Sequence, residues 1–251
     1  MRVRSHGCTD TGRKRAHNED TFREDPDLGL YIVCDGVGGH ARGEIASKET
    51  SDLIWDWVKR ELPRLREIPR GEARQSEQLA MIRSAIQNAC YMVHGMSQLD
   101  PDQRGMSTTA SVLLLDENIA IIGQVGDSRV YRARAGEITQ LTEDHTLIAL
   151  QLKSGLITEE QAKNSRMKSM ITRSIGKKDH VDVDVRSFDL CPEDRFLLCS
   201  DGLHEYLDGG AQTLAELFGF DVQEGARQAI QLANEGGGKD NITALFIHCY
   251  D

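Results

Sequence analysis

Five short acidic segments are spread along this chain, and most of them directly follow an apolar run. They are Asn18-Glu19-Asp20, Asp35-Gly36, Gly126-Asp127-Ser128-Arg129, Ser200-Asp201-Gly202 and Lys239-Asp240-Asn241. Because short apolar runs are typical of buried strands, we expect the fold to bring these carboxylates together at strand ends. Clustered carboxylates cannot all stay ionised unless cations join them. Carboxylates, carbonyls and water are the ligands that Mg²⁺ and Mn²⁺ prefer, so the pattern predicts an all-oxygen metal site.

Charge and cysteine usage exclude several classes of protein. The net charge of −10 argues against nonspecific binding to nucleic acid or anionic membranes, since both require a basic surface. We expect neither a membrane span nor a secretory leader. The six cysteines are scattered without a Cys-x-x-Cys pair, which predicts reduced thiols and a cytoplasmic location. The eight histidines are equally dispersed, so zinc is disfavoured.

The apolar periodicity changes along the chain, which indicates both helices and strands. Helical spacing predicts helices at 44–62, 76–96 and 222–234, and Pro63 is expected to end or kink the first of them. Strict alternation predicts a half-exposed strand at 181–185. Short apolar runs bounded by turn residues predict further strands at 30–34, 108–115, 119–125, 130–135, 138–141, 195–199 and 242–249. With 63–76 read as a charged loop, we expect one domain, 1–251, of helices and mostly antiparallel strands.

The acidic segments, taken in order, resemble the metal-dependent PPM phosphatases, also called the protein phosphatase 2C family, in their compact bacterial form. The resemblance extends from Thr9 to Ile247. It implies an α+β fold in which two packed, mostly antiparallel β-sheets are flanked by helices in four layers, α-β-β-α. It also implies a Ser/Thr protein phosphatase that uses two Mn²⁺ or Mg²⁺ ions, with a third and weaker ion in bacterial members.

The resemblance gives the acidic residues distinct roles. Asp35 matches the residue that bridges two metals, and Gly36 matches the one whose carbonyl binds a metal; the missing Cβ allows that close approach. Asp201 and Asp240 match the carboxylates that complete the second site. Asp127 matches the residue that holds the third ion with Asp201, although a structural role in the turn is the open alternative.

Other matching residues surround the metals. Glu19 and Asp20 match acidic residues that hold metal-bound waters, and Asn241 is expected to support its loop by side-chain hydrogen bonds. Arg15 matches the arginine that binds the phosphate, a role that suits a planar guanidinium. The cations would lower the pKa of a shared water, which would attack phosphorus in line.

One position near the Asp-Gly pair departs from the family pattern. Some members have a catalytic histidine directly after the Asp-Gly pair, where this chain has Val37. His40 matches instead the histidine of a bacterial Gly-Gly-His loop, so a catalytic role near the substrate and a structural or solvent-facing role are both open. A cysteine phosphatase is excluded, because the segment from Cys191 to Arg195 has the wrong length and carries two carboxylates.

The segment 144–176 resembles the mobile flap of the family, and its basic stretch 165–168 is either a contact for acidic phosphopeptides or an ordinary solvated surface.

The expected partners are phosphorylated protein substrates and a Ser/Thr kinase. A forkhead-associated protein of type VI secretion control is a further candidate, and the chain is expected to be a monomer. Two alternatives remain open: a noncatalytic relative that binds phosphoproteins, and a phosphatase of small phosphate esters.

Overall fold

The computed structural model describes residues 1–37, 42–163, 165, 167, 169–207 and 211–251. The strands are β1 (Arg2–Asp10), β2 (Thr21–Asp25), β3 (Leu30–Cys34), β4 (Gly36–Val37), β5 (Ser107–Thr108), β6 (Ala110–Asp116), β7 (Ile119–Val125), β8 (Arg129–Arg134), β9 (Glu137–Gln140), β10 (Asp184–Asp189), β11 (Arg195–Cys199) and β12 (Ile242–Tyr250). The helices are α1 (Gly43–Arg66), α2 (Glu72–Leu99), α3 (Leu147–Lys153), α4 (Glu159–Lys163), α5 (Asp201–His204), α6 (Ala211–Gly219) and α7 (Val222–Glu235).

Ten of these strands form two antiparallel five-stranded sheets. The order is β1-β12-β11-β8-β9 in one sheet and β10-β7-β6-β3-β2 in the other. Strand β3 shows how they pack, because its side chains alternate between two cores. Leu30, Ile32 and Cys34 lie in the core shared with α1 and α2, whereas Tyr31 and Val33 lie in the core between the sheets.

A third core completes the layers. It packs the outer face of the first sheet, including Leu197 and Phe246, against α6 and α7. Helices therefore cover both outer faces of the paired sheets, and the predicted four-layer α-β-β-α architecture is confirmed. Side chains such as Phe196 and Ile121 are fully buried, and each burial of this size contributes about 1.5–3 kcal/mol.

The edge strands β1 and β2 were not predicted from the sequence. Strand β1 pairs with β12 over nine residues, from Arg2 opposite Tyr250 to Asp10 opposite Ile242, and β2 borders β3 at the far edge of the other sheet. Neither strand carries an apolar run, since edge strands are solvated along one side. Their pairing partners, rather than their own composition, decide their conformation.

Several predicted boundaries were wrong, including both ends of α2, which was predicted at 76–96. Helix α1 continues through Pro63 to Arg66, and Arg66 donates hydrogen bonds to Asp116 (2.8 Å) and to the Leu28 carbonyl (3.1 Å). These contacts offset the one helical hydrogen bond that proline removes, so the predicted loop 63–76 shrinks to the residues between α1 and α2. The strand predicted at 181–185 begins only at Asp184, which pairs with Gln124 near the end of β7.

The flap segment contains a helix end, a turn and a new helix cap. Helix α3 ends at Lys153 and α4 begins at Glu159. Between them Thr158 accepts a hydrogen bond from Gln161 N (3.2 Å), and Gln161 Oε1 accepts one from Thr158 N (2.8 Å). This reciprocal pair is a capping box. The single-domain boundaries 1–251 stay a prediction.

Candidate active site

The acidic segments meet at one end of the paired sheets. Asp35 follows β3, Asp127 lies in the turn between β7 and β8, Asp201 begins α5 after β11, and Asp240 precedes β12. Burial, followed by repulsion from Asp20, Asp201, Asp127 and Asp240, raises the pKa of Asp35 well above its ordinary value. Burial and the neighbouring carboxylates likewise raise the pKa of Asp201 well above its ordinary value. The residues chosen from sequence as metal ligands therefore lie in one another's electrostatic field.

The Asp35-Gly36 pair is fixed by the strand beside it. Asp35 N donates to Thr109 Oγ1 (2.9 Å), and the Asp35 carbonyl accepts from Thr109 N (2.9 Å) and from Thr108 Oγ1 (2.8 Å). A Cβ on Gly36 would stand 2.6 Å from the carbonyl oxygens of Glu19 and Gly43. Glycine is required here because three chain segments converge on this point.

Two carboxylates at the site each have a buried oxygen without a hydrogen-bond donor among the described residues. They are Oδ1 of Asp20 and Oδ1 of Asp127, on side chains whose residues are 8% and 4% exposed. Burial is the main cause that raises the pKa of Asp20, and likewise that of Asp127, to about 6. A buried carboxylate oxygen without a partner is costly, and a cation would offset that cost.

Hydroxyl groups that the sequence did not single out hold Asp20. Its Oδ2 accepts from Ser200 Oγ and from Thr243 Oγ1, both at 2.7 Å. Ser200 directly precedes Asp201, and Thr243 lies in β12, so this one carboxylate joins three distant segments. The only signal for Ser200 in the sequence was its place in the Ser-Asp-Gly segment.

Arg15 and Asn241 organise the loop at the mouth of the site. Arg15 Nη2 donates to Asp240 Oδ2 (2.6 Å), and this bond is the main cause that raises the pKa of Arg15. Asn241 Oδ1 accepts from Glu19 N (2.9 Å), while its Nδ2 donates to the carbonyls of Thr11 (3.0 Å) and His17 (2.9 Å). The predicted loop-holding contacts of Asn241 are present.

His145 is a residue near the site whose role the sequence did not reveal. It is 7% exposed; its Nδ1 accepts from Gly126 N (3.1 Å), and its backbone N donates to the Gly126 carbonyl (2.9 Å). Its Nε2 lies 3.3 Å from Asp184 Oδ2. His145 therefore ties the start of the flap segment to the turn that carries Asp127. The sequence feature that could have pointed to His145 is the Asp144-His145 pair at the start of the flap segment.

The donor set fits hard divalent cations. It consists of oxygen atoms alone, it carries excess negative charge, and two of its buried oxygens lack donors in the described part of the chain. No three His, Cys, Asp or Glu side chains among the described residues form a ready-made cage for a metal, and both oxygens of Asp240 accept hydrogen bonds from Arg15 and from Asn241 N. Such a site suits ions that keep several water ligands, as Mg²⁺ does. His40 lies outside the described residues.

The sequence profile of the family described as protein phosphatase 2C matches residues 9–233. The chain belongs to the protein phosphatase 2C family. Protein phosphatase PhpP of Streptococcus pneumoniae is 34% identical to this phosphatase over 243 residues, which cover 95% of this chain and 94% of that protein. The family and enzyme class predicted from the sequence, a Ser/Thr protein phosphatase, are confirmed.

Solved structures of related phosphatases share the fold. The serine/threonine phosphatase PstP of Mycobacterium tuberculosis has a TM-score of 0.86 and 31% identity, and the match covers 100% of both chains. The catalytic domain of PstP in complex with two manganese ions gives a TM-score of 0.81 at 31% identity over 99% of each chain. PppA of Pseudomonas aeruginosa, described as a key regulatory component of the type VI secretion system, gives 0.82 at 27% identity over 100% of this chain and 99% of that one.

Within the described part of this phosphatase, no helix combines the length and the apolar character needed to cross a membrane.

Proposed function

We propose that this phosphatase hydrolyses phosphoserine and phosphothreonine in proteins with a water molecule activated by two divalent cations. The observation that carries the proposal is the convergence of Asp20, Asp35, Asp127 and Asp201, whose burial, followed by repulsion from neighbouring carboxylates, raises their pKa values. Bound Mn²⁺ or Mg²⁺ would supply the missing positive charge, lower the pKa of water and offset charge on the phosphoryl oxygens. The PstP complex with two manganese ions supports this choice of cofactor.

Each residue has a proposed role. Asp35, Asp201, Asp240 and the Gly36 carbonyl would hold the two cations. Asp127 would hold a third with Asp201, and the role of His40 stays a prediction. Asp20 is kept in one orientation by the Ser200 and Thr243 hydroxyls, so it can orient water, and Glu19 would share that task from the neighbouring position.

Arg15 would bind the phosphoryl group of the substrate. In the structure its guanidinium instead bonds the carboxylate of Asp240. If Asp240 held a cation, this bond would weaken because the carboxylate would share its negative charge with the cation. Cation binding would therefore release the half-exposed guanidinium toward the substrate phosphate, which it can bind through two hydrogen bonds.

The test measures both catalysis and cation binding. Phosphate release from a phosphothreonine peptide is followed with Mn²⁺, with Mg²⁺ and with excess chelator, and Mn²⁺ binding is measured by calorimetry. Asp35→Asn and Asp201→Asn should each lose at least about 100-fold in kcat/KM, the scale of a lost charge stabilisation, and should weaken Mn²⁺ binding. Asp27→Asn, a carboxylate at the exposed β2–β3 turn, should change neither quantity.

Two results would contradict the proposal. Turnover that persists in chelator would exclude the metal-dependent mechanism. Hydrolysis of small phosphate esters by a metal-loaded enzyme that leaves every phosphopeptide intact would favour the small-ester phosphatase instead.

The proposed setting is the cytoplasm, where the phosphatase would act as a monomer and oppose a Ser/Thr kinase. All six cysteines are unpaired with one another, which suits a reducing compartment. A role in type VI secretion through a forkhead-associated protein rests on the likeness to PppA alone. Phosphoproteomics of a strain without this phosphatase tests it: phosphorylation should rise on a forkhead-associated protein and its kinase.

A further inference from the structure

A cavity of about 240 Å³ adjoins the candidate active site between the flap helices and α5. One wall is aliphatic and comes from α3 and α4: Ile148, Ala149, Leu152 and Ala162. The other wall is acidic and comes from the Asp127 turn, from α5 and from the residue directly after α5: Asp127, Asp201 and Glu205. The cavity is therefore apolar on one side and negative on the other.

The negative charge of this cavity is not balanced by the described part of the protein. Asp144 also lines it, but Arg129 neutralises that carboxylate with hydrogen bonds of 3.0 and 2.7 Å. Among the described residues, no ion pair engages Glu205, and Asp127 presents a buried Oδ1 without a donor. Glu205 lies near enough to contribute to the raised pKa values of both Asp127 and Asp201.

An aliphatic wall opposite an acidic wall favours the binding of a long basic side chain. Lysine and arginine carry an aliphatic stem that packs on apolar surface and a cationic head that seeks acceptors. A purely apolar side chain would leave Glu205 without a cationic partner, and an acidic side chain would be repelled by it.

We infer that this cavity binds a lysine or arginine that flanks the phosphorylated residue of the protein substrate, with its stem on Leu152 and its head at Glu205. The inference rests on the proposed function and adds a substrate class to it, namely phosphoproteins with basic flanks. The acidic character of the whole chain acts in the same direction, since it attracts basic segments over distance.

A divalent cation held by Asp127 and Asp201 is the other positive group that could occupy the inner end. The two occupants make different demands on the cavity. A metal ion needs only oxygen ligands, whereas a lysine or arginine also needs the aliphatic wall and the outer carboxylate of Glu205. Substitutions at Leu152 and Glu205 therefore separate them.

The experiment compares kcat/KM for phosphothreonine peptides that carry lysine, alanine or glutamate at each of the three positions on either side. We expect lysine at one or more positions to exceed alanine by roughly fivefold, the scale of a partly exposed ion pair. Glu205→Gln should remove that preference, and Glu205→Lys should invert it in favour of glutamate. Leu152→Ser should reduce the preference for lysine while the dependence on Mn²⁺ stays unchanged.

Glu137→Lys is the matched control, because it makes the same charge change at an exposed position in the β8–β9 hairpin. It should leave the preference intact. An enzyme that hydrolyses all the peptides at equal rates, or a lysine preference that survives Glu205→Lys, would overturn the inference. A preparation that hydrolyses no phosphopeptide with Mn²⁺ would instead contradict the proposed function, so the two failures are distinct.

Discussion

At the scale of single residues, glycines decide how closely the acidic segments approach one another. Gly36 packs against the backbone carbonyls of Glu19 and Gly43, and Gly202 packs against the backbone carbonyl of Asn241. In each case a Cβ would collide with backbone atoms, which cannot rotate away as a flexible side chain can. In each Asp-Gly pair the aspartate provides a carboxylate, and the glycine leaves room for a second chain segment to pack beside it.

Gly202→Ala should destabilise the protein by about 1–3 kcal/mol, the usual cost of overpacking, and should also lower activity because the neighbouring Asp240 moves. Urea unfolding and phosphate release measure the two effects. Gly219→Ala is the control, since no atom of the described residues lies within 4 Å of a Cβ at that position. A Gly202→Ala protein as stable and active as the control would contradict the packing argument.

Arg15 is expected to act on the substrate, so its loss should reduce catalysis without weakening cation binding. Arg15→Ala should lower kcat/KM by roughly 10- to 100-fold, because a charged hydrogen bond contributes about 1.5–3 kcal/mol. Mn²⁺ affinity should stay equal or rise, since Asp240 loses its partner. Arg13→Ala, two residues earlier, should have little effect on either. Weaker Mn²⁺ binding by Arg15→Ala would show that the arginine supports the metal site instead.

At the scale of elements, the flap segment is joined to the two sheets by polar contacts around its first residues. His145 Nδ1 accepts a hydrogen bond from Gly126 N. The His145 carbonyl accepts hydrogen bonds from Thr172 N (2.7 Å) and Thr172 Oγ1 (3.0 Å). Burial lowers the pKa of His145, which keeps the ring neutral so that Nδ1 can accept. The β7–β8 turn, with its carboxylate Asp127, and the flap are therefore held by the same residue.

His145→Ala should cost about 1–3 kcal/mol of stability, because the Gly126 N–H becomes a buried donor without an acceptor. Hydrogen exchange should accelerate in 144–176 and in the β7–β8 turn together. His145→Asn should restore part of the protection, since its side-chain oxygen can accept near the position of Nδ1. The control His180→Ala alters an exposed histidine. Faster exchange in the flap alone would contradict the shared anchor.

At the scale of the whole molecule, the fold is stabilised by three apolar cores and destabilised at one end by its own carboxylates. The Asp20, Asp35, Asp127 and Asp201 carboxyls all have raised pKa values. An acid whose pKa is higher in the folded than in the unfolded chain releases its proton more readily on unfolding. Its contribution to the free energy of unfolding is therefore largest below the ordinary pKa and is lost as pH rises through the folded value.

The metal-free phosphatase should consequently lose stability as pH rises from about 4 to about 7, the interval between an ordinary aspartate and the raised values near 6. Urea unfolding in chelator across that range measures the slope. Mn²⁺ should abolish the slope, because a cation favours the ionised carboxylates. Asp35→Asn should flatten it without metal, and Asp27→Asn should not. A metal-free protein that gains stability toward pH 7 would contradict this account of the site.

The sequence by itself determined the acidic segments, the strand at 30–34 and the family, because those signals are local: an Asp-Gly pair, an apolar run, a periodicity. The tertiary structure decided what depends on distant partners. Edge strands β1 and β2 take their conformation from β12 and β3, and Ser200 reaches Asp20 across a separation of 180 residues. The bond from Gly126 N to His145 Nδ1 and the Arg15–Asp240 bond are also nonlocal. The sequence gives the chemical type of each side chain, but the residue that it contacts depends on how the sheets pack in the folded protein.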